Sequence, residues 1–286
     1  MLDCIIVGSG VAGISAALTL KANGKSFLLF GSPNLSEKIE KAESIRNYPG
    51  FLGESGKNFV KDLKVQLAEQ NIEVKNEKVG GVYALKDKFI LSTQEGNTFE
   101  SKTVILACGV ESTKQIEGEE EFVGRGVSYC ATCDGFLYKG KTIAALCTTK
   151  RLEHEIGHLA GFAEKVYLIP LYKPVEIERE NIEILRKMPV KIEGTKRVEK
   201  LLFKAKEGGM DALSVDGVFM LKESLPPTQL VGGVQTENGH IVVDRNMATN
   251  ITGLFAAGDC TGRPYQYAKA VGEGNVAAHS VTEYLK

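Results

Sequence analysis

The chain has 286 residues, 43% of them apolar and 25% charged, with a formal net charge of −1. This is globular composition with length for two domains, and the near-zero charge excludes bulk nucleic-acid and membrane-surface roles. Six cysteines are too few for a secreted disulfide framework, and the opening "MLDCIIVGSG" has no basic n-region or cleavage signature, so a soluble cytoplasmic protein is expected.

Leu2–Val7 is a short apolar run and reads as a buried parallel strand. "GSGVAG" and "ISAALTLKANG" follow, suiting a helix closed by Gly24, and 26–30 gives the next strand. The apolar stretch from Ile5 to Leu20 is broken by Gly8, Ser9, Gly10, Gly13 and Ser15, so it is not a membrane span. Residues 60–70 predict an amphipathic helix. Residues 72–100 predict a small antiparallel section with turns at Gly80–Gly81 and Gly96–Asn97. A buried strand is expected over 103–107. Residues 111–124 are polar and acidic, as a domain crossover would be. Strand, helix and strand recur at 142–146, 152–162 and 166–169. A second crossover is expected at 235–246, then a strand running into a turn in "GLFAAGDC", then a final helix over 271–284. Cys4, Cys108, Cys147 and Cys260 have no close cysteine neighbour and read as buried thiols.

Gly8, Gly10 and Gly13 form G-x-G-x-x-G between a strand and a helix. The first glycine allows the tight turn, the second lets backbone approach a pyrophosphate, and the third lets helix and strand pack closely. A dinucleotide site is expected; the alternative is a glycine-rich turn in an α/β domain. The acidic residue that binds a nicotinamide dinucleotide's ribose should end the second strand, but Phe30, Gly31 and Ser32 stand there. That favours a flavin dinucleotide, with ribose contacts from Ser32 or from backbone.

Cys130 and Cys133 are C-x-x-C, a spacing for a reducible disulfide or a metal, and Asp134 next to them is a candidate proton shuttle. Zinc is the competing reading, because His154 and His158 follow at H-x-x-x-H spacing. The gap from Cys133 to His154 is longer than in a zinc finger and contains a strand, so no metal is expected.

"VGSGVAGISAA", "NYPGF", "VILACG", "GRGVSYCATCDGF" and "GLFAAGDC…GEGNVAA" together resemble the low-molecular-weight thioredoxin reductases. The resemblance implies an α/β fold of two Rossmann-like (three-layer ββα-type) domains. A discontinuous FAD domain would span 1–112 and 235–286, and an inserted central domain, 113–234, would carry the dithiol, in a homodimer. It also implies FAD contacts at Gly8, Gly10, Gly13, Ser32, Asn47, Gly109, Gly258 and Asp259. Cys130 and Cys133 would be the redox disulfide, with Cys133 nearer the flavin, and Asp134 the acid. Where the family has Arg-Gln-Ala beside the flavin, this chain has Gln266, Tyr267 and Ala268. Tyr265 or Tyr267 is therefore either a flavin-stacking ring or a core tyrosine.

A second departure is larger. The glycine-rich loop after the dithiol falls here on Cys147, Thr148 and Thr149, and the expected His-Arg-Arg cluster is replaced by Pro170, Leu171 and Tyr172. Side chains at 147–149 would crowd a pyrophosphate, and no arginine pair remains for the 2′-phosphate of NADPH. This pattern is most similar to the ferredoxin-dependent flavin thioredoxin reductases. It implies single electrons passing from reduced ferredoxin, or flavodoxin, through FAD to Cys130–Cys133 and on to thioredoxin. The alternatives are an NADPH enzyme with a degenerate site and a non-catalytic redox-sensing flavoprotein. Hinges are expected near 111–118 and 235–243, with Gly118 and Gly239 suited to them. Eight Lys/Arg between 186 and 206 form a candidate docking stretch for an acidic donor; the alternative is a solvated face.

Overall fold

The computed structural model describes residues 1–52, 55–110, 116–205, 208–222 and 227–286. The chain divides into two compact units, Met1–Val110 with Ser224–Lys286, and Glu111–Glu223.

In chain order, the first unit opens with β1 (Leu2–Val7), α1 (Val11–Ala22), β2 (Phe27–Phe30), α2 (Glu37–Glu40) and α3 (Gly56–Glu69). It continues with β3 (Val74–Lys75), β4 (Val79–Ala84), β5 (Phe89–Thr93) and β6 (Thr98–Leu106). The second unit holds β7 (Val127–Ser128), α4 (Ala131–Asp134), β8 (Thr142–Cys147), α5 (Glu153–Ala160), β9 (Lys165–Pro170) and β10 (Ile182–Ile184). It then adds β11 (Pro189–Gly194), β12 (Val198–Lys204), β13 (Met210–Ser214) and β14 (Gly217–Leu221). The chain returns to the first unit through α6 (Pro227–Leu230), β15 (Thr236–Glu237), β16 (His240–Ile241), β17 (Leu254–Ala256) and α7 (Tyr267–Tyr284).

The first unit is built on a sheet of order β3-β2-β1-β6-β5-β4, with β17 also paired to β6. β1 lies parallel to both β2 and β6, which place Leu28 and Val104 beside Ile5. The helical layer over it is tight because small residues face each other. A Cβ on Gly274 of α7 would lie 2.1 Å from the Ala12 carbonyl oxygen of α1. The buried residues of α1 include Ala12, Gly13, Ala16 and Ala17. Such a seam permits backbone approach that larger side chains would block.

Three sequence expectations shift in this unit. α3 begins earlier than residue 60 because Ser55 caps it, its Oγ accepting the Asn58 N–H. Gly80–Gly81 is not a turn; it lies inside β4, where the register against β5 slips between Val79 and Gly81. α7 begins at Tyr267, one turn before residue 271. The second crossover also moves. Residues 235–246 include the β15–β16 hairpin, inside the first unit, and the units divide at 223/224.

The central unit carries a parallel sheet of order β10-β9-β8-β14-β7 and an antiparallel sheet β11-β12-β13. β14, "GVFML", is buried at every position and sits between β8 and β7. The expected Rossmann-like pair, one unit discontinuous and one inserted, is present.

Of the two glycines expected at hinges, Gly118 is pinned. Its Cβ would fall 2.4 Å from the Ile192 carbonyl, and Ile192 N–H bonds to the Glu117 carbonyl at 2.8 Å. Gly239 turns the β15–β16 hairpin at φ 77°. Most of the first expected hinge, 111–115, lies outside the described residues.

A buried ion pair joins the two ends of the central unit. Lys222 Nζ lies 2.7 Å from Glu119 Oε1, with side chains 1% and 0% exposed. Glu119 also accepts Tyr129 OH at 2.7 Å and Ile116 N–H at 3.0 Å, so both carboxylate oxygens are satisfied. Removing one partner leaves the other charge buried and uncompensated, at about 3–5 kcal/mol. Lys222→Met is expected to destabilise the central unit by that amount in urea unfolding. The double variant Glu119→Leu/Lys222→Met should recover most of it. Equal losses in single and double variants would contradict this account.

Candidate functional site

In the first unit, the glycines of the fingerprint occupy the turn from β1 into α1. Gly8 has φ 117°, and a Cβ there would lie 2.2 Å from the Ala107 carbonyl oxygen. A Cβ on Gly13 would lie 1.8 Å from the Gly8 carbonyl oxygen. Both glycines are therefore required by the protein's own packing. Gly10 differs: it caps α1, and a Cβ there would meet nothing within 4 Å. The first turn of α1 carries no acidic residue. An open position before an uncontested helix N-terminus fits a pyrophosphate.

The other expected contacts gather at neighbouring strand ends. Gly109 follows β6 at φ 69°, and Gly258 follows β17 at φ 90°. Gly258 N–H donates to Glu273 Oε2 at 2.9 Å, and its carbonyl accepts Lys269 Nζ at 2.9 Å. Glu273 also accepts Thr261 OH at 2.8 Å and Lys269 Nζ at 3.0 Å. The turn carrying Asp259 is thus held by two side chains of α7. Sequence reasoning missed Lys269 and Glu273; their i,i+4 spacing on a helix was the available signal. Ser32 Oγ accepts Asn34 N–H at 3.2 Å, at the end of β2. Asn47 Nδ2 donates to Gln266 Oε1 at 2.6 Å, which joins two segments singled out separately. Tyr267 packs into an aromatic group, its ring 6.1 Å from Phe59, which is 5.2 Å from Tyr48. Tyr265 instead meets His240 Nε2 through its hydroxyl at 2.6 Å. Ala268 is exposed in the first turn of α7.

The dithiol lies in the central unit where β7 meets α4. Cys130 and Cys133 form a disulfide with Cα atoms 5.3 Å apart. Cys130 caps α4, its Sγ accepting Cys133 N–H at 3.1 Å, and Ser128 Oγ accepts Cys130 N–H at 3.1 Å. Cys133 is exposed and Cys130 half-buried; Asp134 is half-buried, its N–H bonded to the Cys130 carbonyl at 3.2 Å. Phe136 and Leu137 follow at 58% and 54% exposure. His154 and His158 are engaged elsewhere: His154 Nδ1 meets the Arg151 carbonyl at 2.8 Å, and His158 stacks edge-on against Phe162. Among the described residues, no three His, Cys, Asp or Glu side chains gather as a metal site would need.

In an open parallel sheet, ligands bind outside the carboxyl ends of the strands where the order reverses. In the central unit that place lies between β8 and β14. Here the loop after β8 carries Cys147, Thr148 and Thr149 where the first unit has glycines. Thr148 donates both its N–H, at 3.0 Å, and its hydroxyl, at 3.3 Å, to the Leu221 carbonyl. Cys147 is buried, its Sγ 3.3 Å from the Thr149 carbonyl, and burial pushes its thiol up to about 11. Glu153 and Glu155 occupy the first turn of α5, and Glu155 is buried. Glu153 Oε1 accepts Glu176 N–H at 3.0 Å. Tyr172 completes the cluster, its hydroxyl pushed up by burial and then by the nearby Cys147.

Three of the cations in the candidate docking stretch are paired. Lys187 pairs with Asp211, Lys191 with Glu117 and Glu193, and Lys200 with Glu193. Lys206 lies outside the described residues.

Residues 2–152 and 175–274 match the pyridine nucleotide-disulphide oxidoreductase family. The chain belongs to that family. It is a flavoprotein disulfide oxidoreductase, and its cofactor is FAD. It is 32% identical to the thioredoxin reductase of Helicobacter pylori (strain J99 / ATCC 700824), over 100% of this chain and 99% of the relative. It is 34% identical to the thioredoxin reductase of Aquifex aeolicus (strain VF5), over 99% and 93%. Its fold matches the 1.3 Å crystal structure of a ferredoxin-flavin thioredoxin reductase from Clostridium acetobutylicum, at TM-score 0.90 and 47% identity, covering 99% of this chain and 98% of that one. Among the described residues, no helix is long and apolar enough to cross a membrane.

The two glycines separate packing from ligand approach. Gly10→Ala is expected to keep the fold of the flavin-free protein and to lose most bound flavin, read from flavin absorbance after purification. Gly13→Ala should lose both. A Gly10→Ala protein that retains full flavin would remove the pyrophosphate from that position.

Proposed function

We propose that this protein reduces the disulfide of a thioredoxin with electrons that a reduced ferredoxin delivers one at a time. The observation that carries the reading is the loop between β8 and α5 of the central unit. A nicotinamide dinucleotide needs free N–H donors and room for its pyrophosphate at the start of α5. The loop after β8 carries side chains at 147–149 in place of glycines, and two carboxylates stand in the helix's first turn. Similarity to the ferredoxin-flavin reductase of Clostridium acetobutylicum supports the same donor.

Gly8, Gly10, Gly13, Ser32, Asn47, Gly109, Gly258 and Asp259 would hold FAD, with Tyr267 and Ala268 flanking it at the start of α7. Bound FAD supplies the step from one-electron to two-electron chemistry. The chain's own residues do the rest. Cys130 and Cys133 accept the electron pair, their S–S bond opening to two thiols. Asp134, next to Cys133, is placed to deliver a proton to the sulfur that leaves as thiolate. One thiolate then attacks the thioredoxin disulfide, and the second resolves the mixed disulfide, so the pair is oxidised again as thioredoxin is reduced. Phe136 and Leu137 offer apolar contact to the protein substrate beside the exposed Cys133. A ferredoxin near about −400 mV and a thioredoxin near about −270 mV leave about 130 mV, roughly 6 kcal/mol for two electrons. The enzyme would work in the cytoplasm as a homodimer.

In an anaerobic assay, chemically reduced ferredoxin is expected to support thioredoxin reduction, and NADPH in its place should not. Cys133→Ser should abolish turnover. Phe136→Ala should raise KM for thioredoxin several-fold at unchanged kcat. Undiminished turnover by Cys133→Ser would remove the dithiol from the mechanism.

A further inference from the structure

The strand that leads into the dithiol is short. β7 has two residues, and it pairs with β14 through Val127 beside Val218 and Ser128 beside Phe219. A short edge pairing frays unless other contacts hold it. Cys130, two residues on, is nevertheless held at both of its backbone groups. Ser128 Oγ accepts its N–H at 3.1 Å and donates to its carbonyl at 3.3 Å. Between Ser128 and Cys130 stands Tyr129, which is buried. Its hydroxyl donates to Glu119 Oε1 at 2.7 Å. Glu119 is itself fixed. Its N–H donates to the Ile116 carbonyl at 2.9 Å, its Oε2 accepts Ile116 N–H at 3.0 Å, and its Oε1 also accepts Lys222 Nζ at 2.7 Å. The Lys222 ammonium lies 5.7 Å from the centre of the Tyr129 ring. Lys222 directly follows β14, the strand against which β7 pairs.

We propose that Tyr129, anchored on the buried Glu119–Lys222 pair, is a positioning residue of the dithiol. It holds Cys130 beside Cys133 in the reduced state and so sets the equilibrium between dithiol and disulfide. The proposal rests on Cys130–Cys133 being the working couple, whatever the electron donor. A buried ion pair adds little stability over an apolar pair of the same volume. What this pair supplies is a charged acceptor for the Tyr129 hydroxyl, and hydrogen bonds to charged acceptors are about twice as strong as neutral ones. Lys222 keeps that acceptor ionised and compensated inside the core. Tyr129 touches neither sulfur; it acts through the backbone it shares with Cys130.

The sign of the effect follows. Opening the S–S bond takes two electrons and two protons and gives two thiols. In exchange with dithiothreitol, the reagent's two thiols close to its cyclic disulfide as the protein's S–S bond opens, through a mixed disulfide. The equilibrium constant then reports the effective concentration of one protein sulfur at the other, which good placement raises. Freeing the corner gives the reduced state conformations in which the sulfurs stand apart. The dithiol gains, and the couple becomes more oxidising.

The test equilibrates the FAD-loaded protein with dithiothreitol buffers of graded ratio, quenches in acid, alkylates and reads the Cys130–Cys133 peptide by mass spectrometry. Tyr129→Phe is expected to move the equilibrium about fivefold or more toward the dithiol, about 20 mV at about 30 mV per tenfold. Glu119→Leu/Lys222→Met removes the acceptor without leaving a buried charge, and it should move the equilibrium the same way. Val166→Ala opens a cavity in β9, three strands from β7, and should leave it unchanged. The measurement uses neither ferredoxin nor thioredoxin, so its outcome is separate from that of the donor assay. An unchanged equilibrium in the folded double variant or in Tyr129→Phe would overturn the proposal. So would an equal shift in Val166→Ala, which would mark a general loss of stability rather than positioning.

Discussion

The start of a helix presents backbone N–H groups that have no partner in the helix, together with the positive end of its dipole. What meets them decides what a parallel-sheet unit can bind. The two units of this chain differ at that point. In the first, α1 is capped by Gly10, with open space at that position and no acid in the helix's first turn. In the central unit, the loop before α5 carries the side chains of Cys147, Thr148 and Thr149, and Glu153 and Glu155 stand in the helix's first turn. One fold, used twice, leaves this point open in the first unit and lined with side chains in the second.

The consequences run from that contrast to function. The dithiol is then the reactive feature of the central unit. Cys130 and Cys133 sit where a short edge strand, β7, turns into α4, and the residues that fix this corner are few. Ser128 holds the Cys130 N–H, and Tyr129 is anchored through its hydroxyl on buried Glu119. Lys222, directly after β14, neutralises Glu119. The corner that bears the disulfide is therefore tied to both chain ends of its own unit. In the first unit, Lys269 and Glu273 do similar work for the turn carrying Asp259.

Much of this was legible as sequence because it depends on local chemistry. Gly8 and Gly13 are glycine because carbonyl oxygens occupy the space of a Cβ, and such positions leave a fixed spacing. The dithiol and the missing glycines at 147–149 are likewise runs of adjacent residues. What stayed hidden depends on partners far apart in the chain. Lys222 meets Glu119 across 103 residues, and "GVFML" is recognisable as a central strand only from the neighbours it pairs with. Gly80–Gly81 misled in the opposite direction: two glycines signal a turn, yet the alternation on either side keeps them in β4 as a bulge.

The central claim is that the central unit no longer accepts a nicotinamide dinucleotide, so the flavin is reduced by a protein. The most direct measurement is rapid-mixing absorbance of the bound flavin under anaerobic conditions. The account predicts that reduced ferredoxin bleaches it within the turnover time, and that micromolar NADPH or NADH leaves it oxidised. Rapid bleaching by either nucleotide would contradict it.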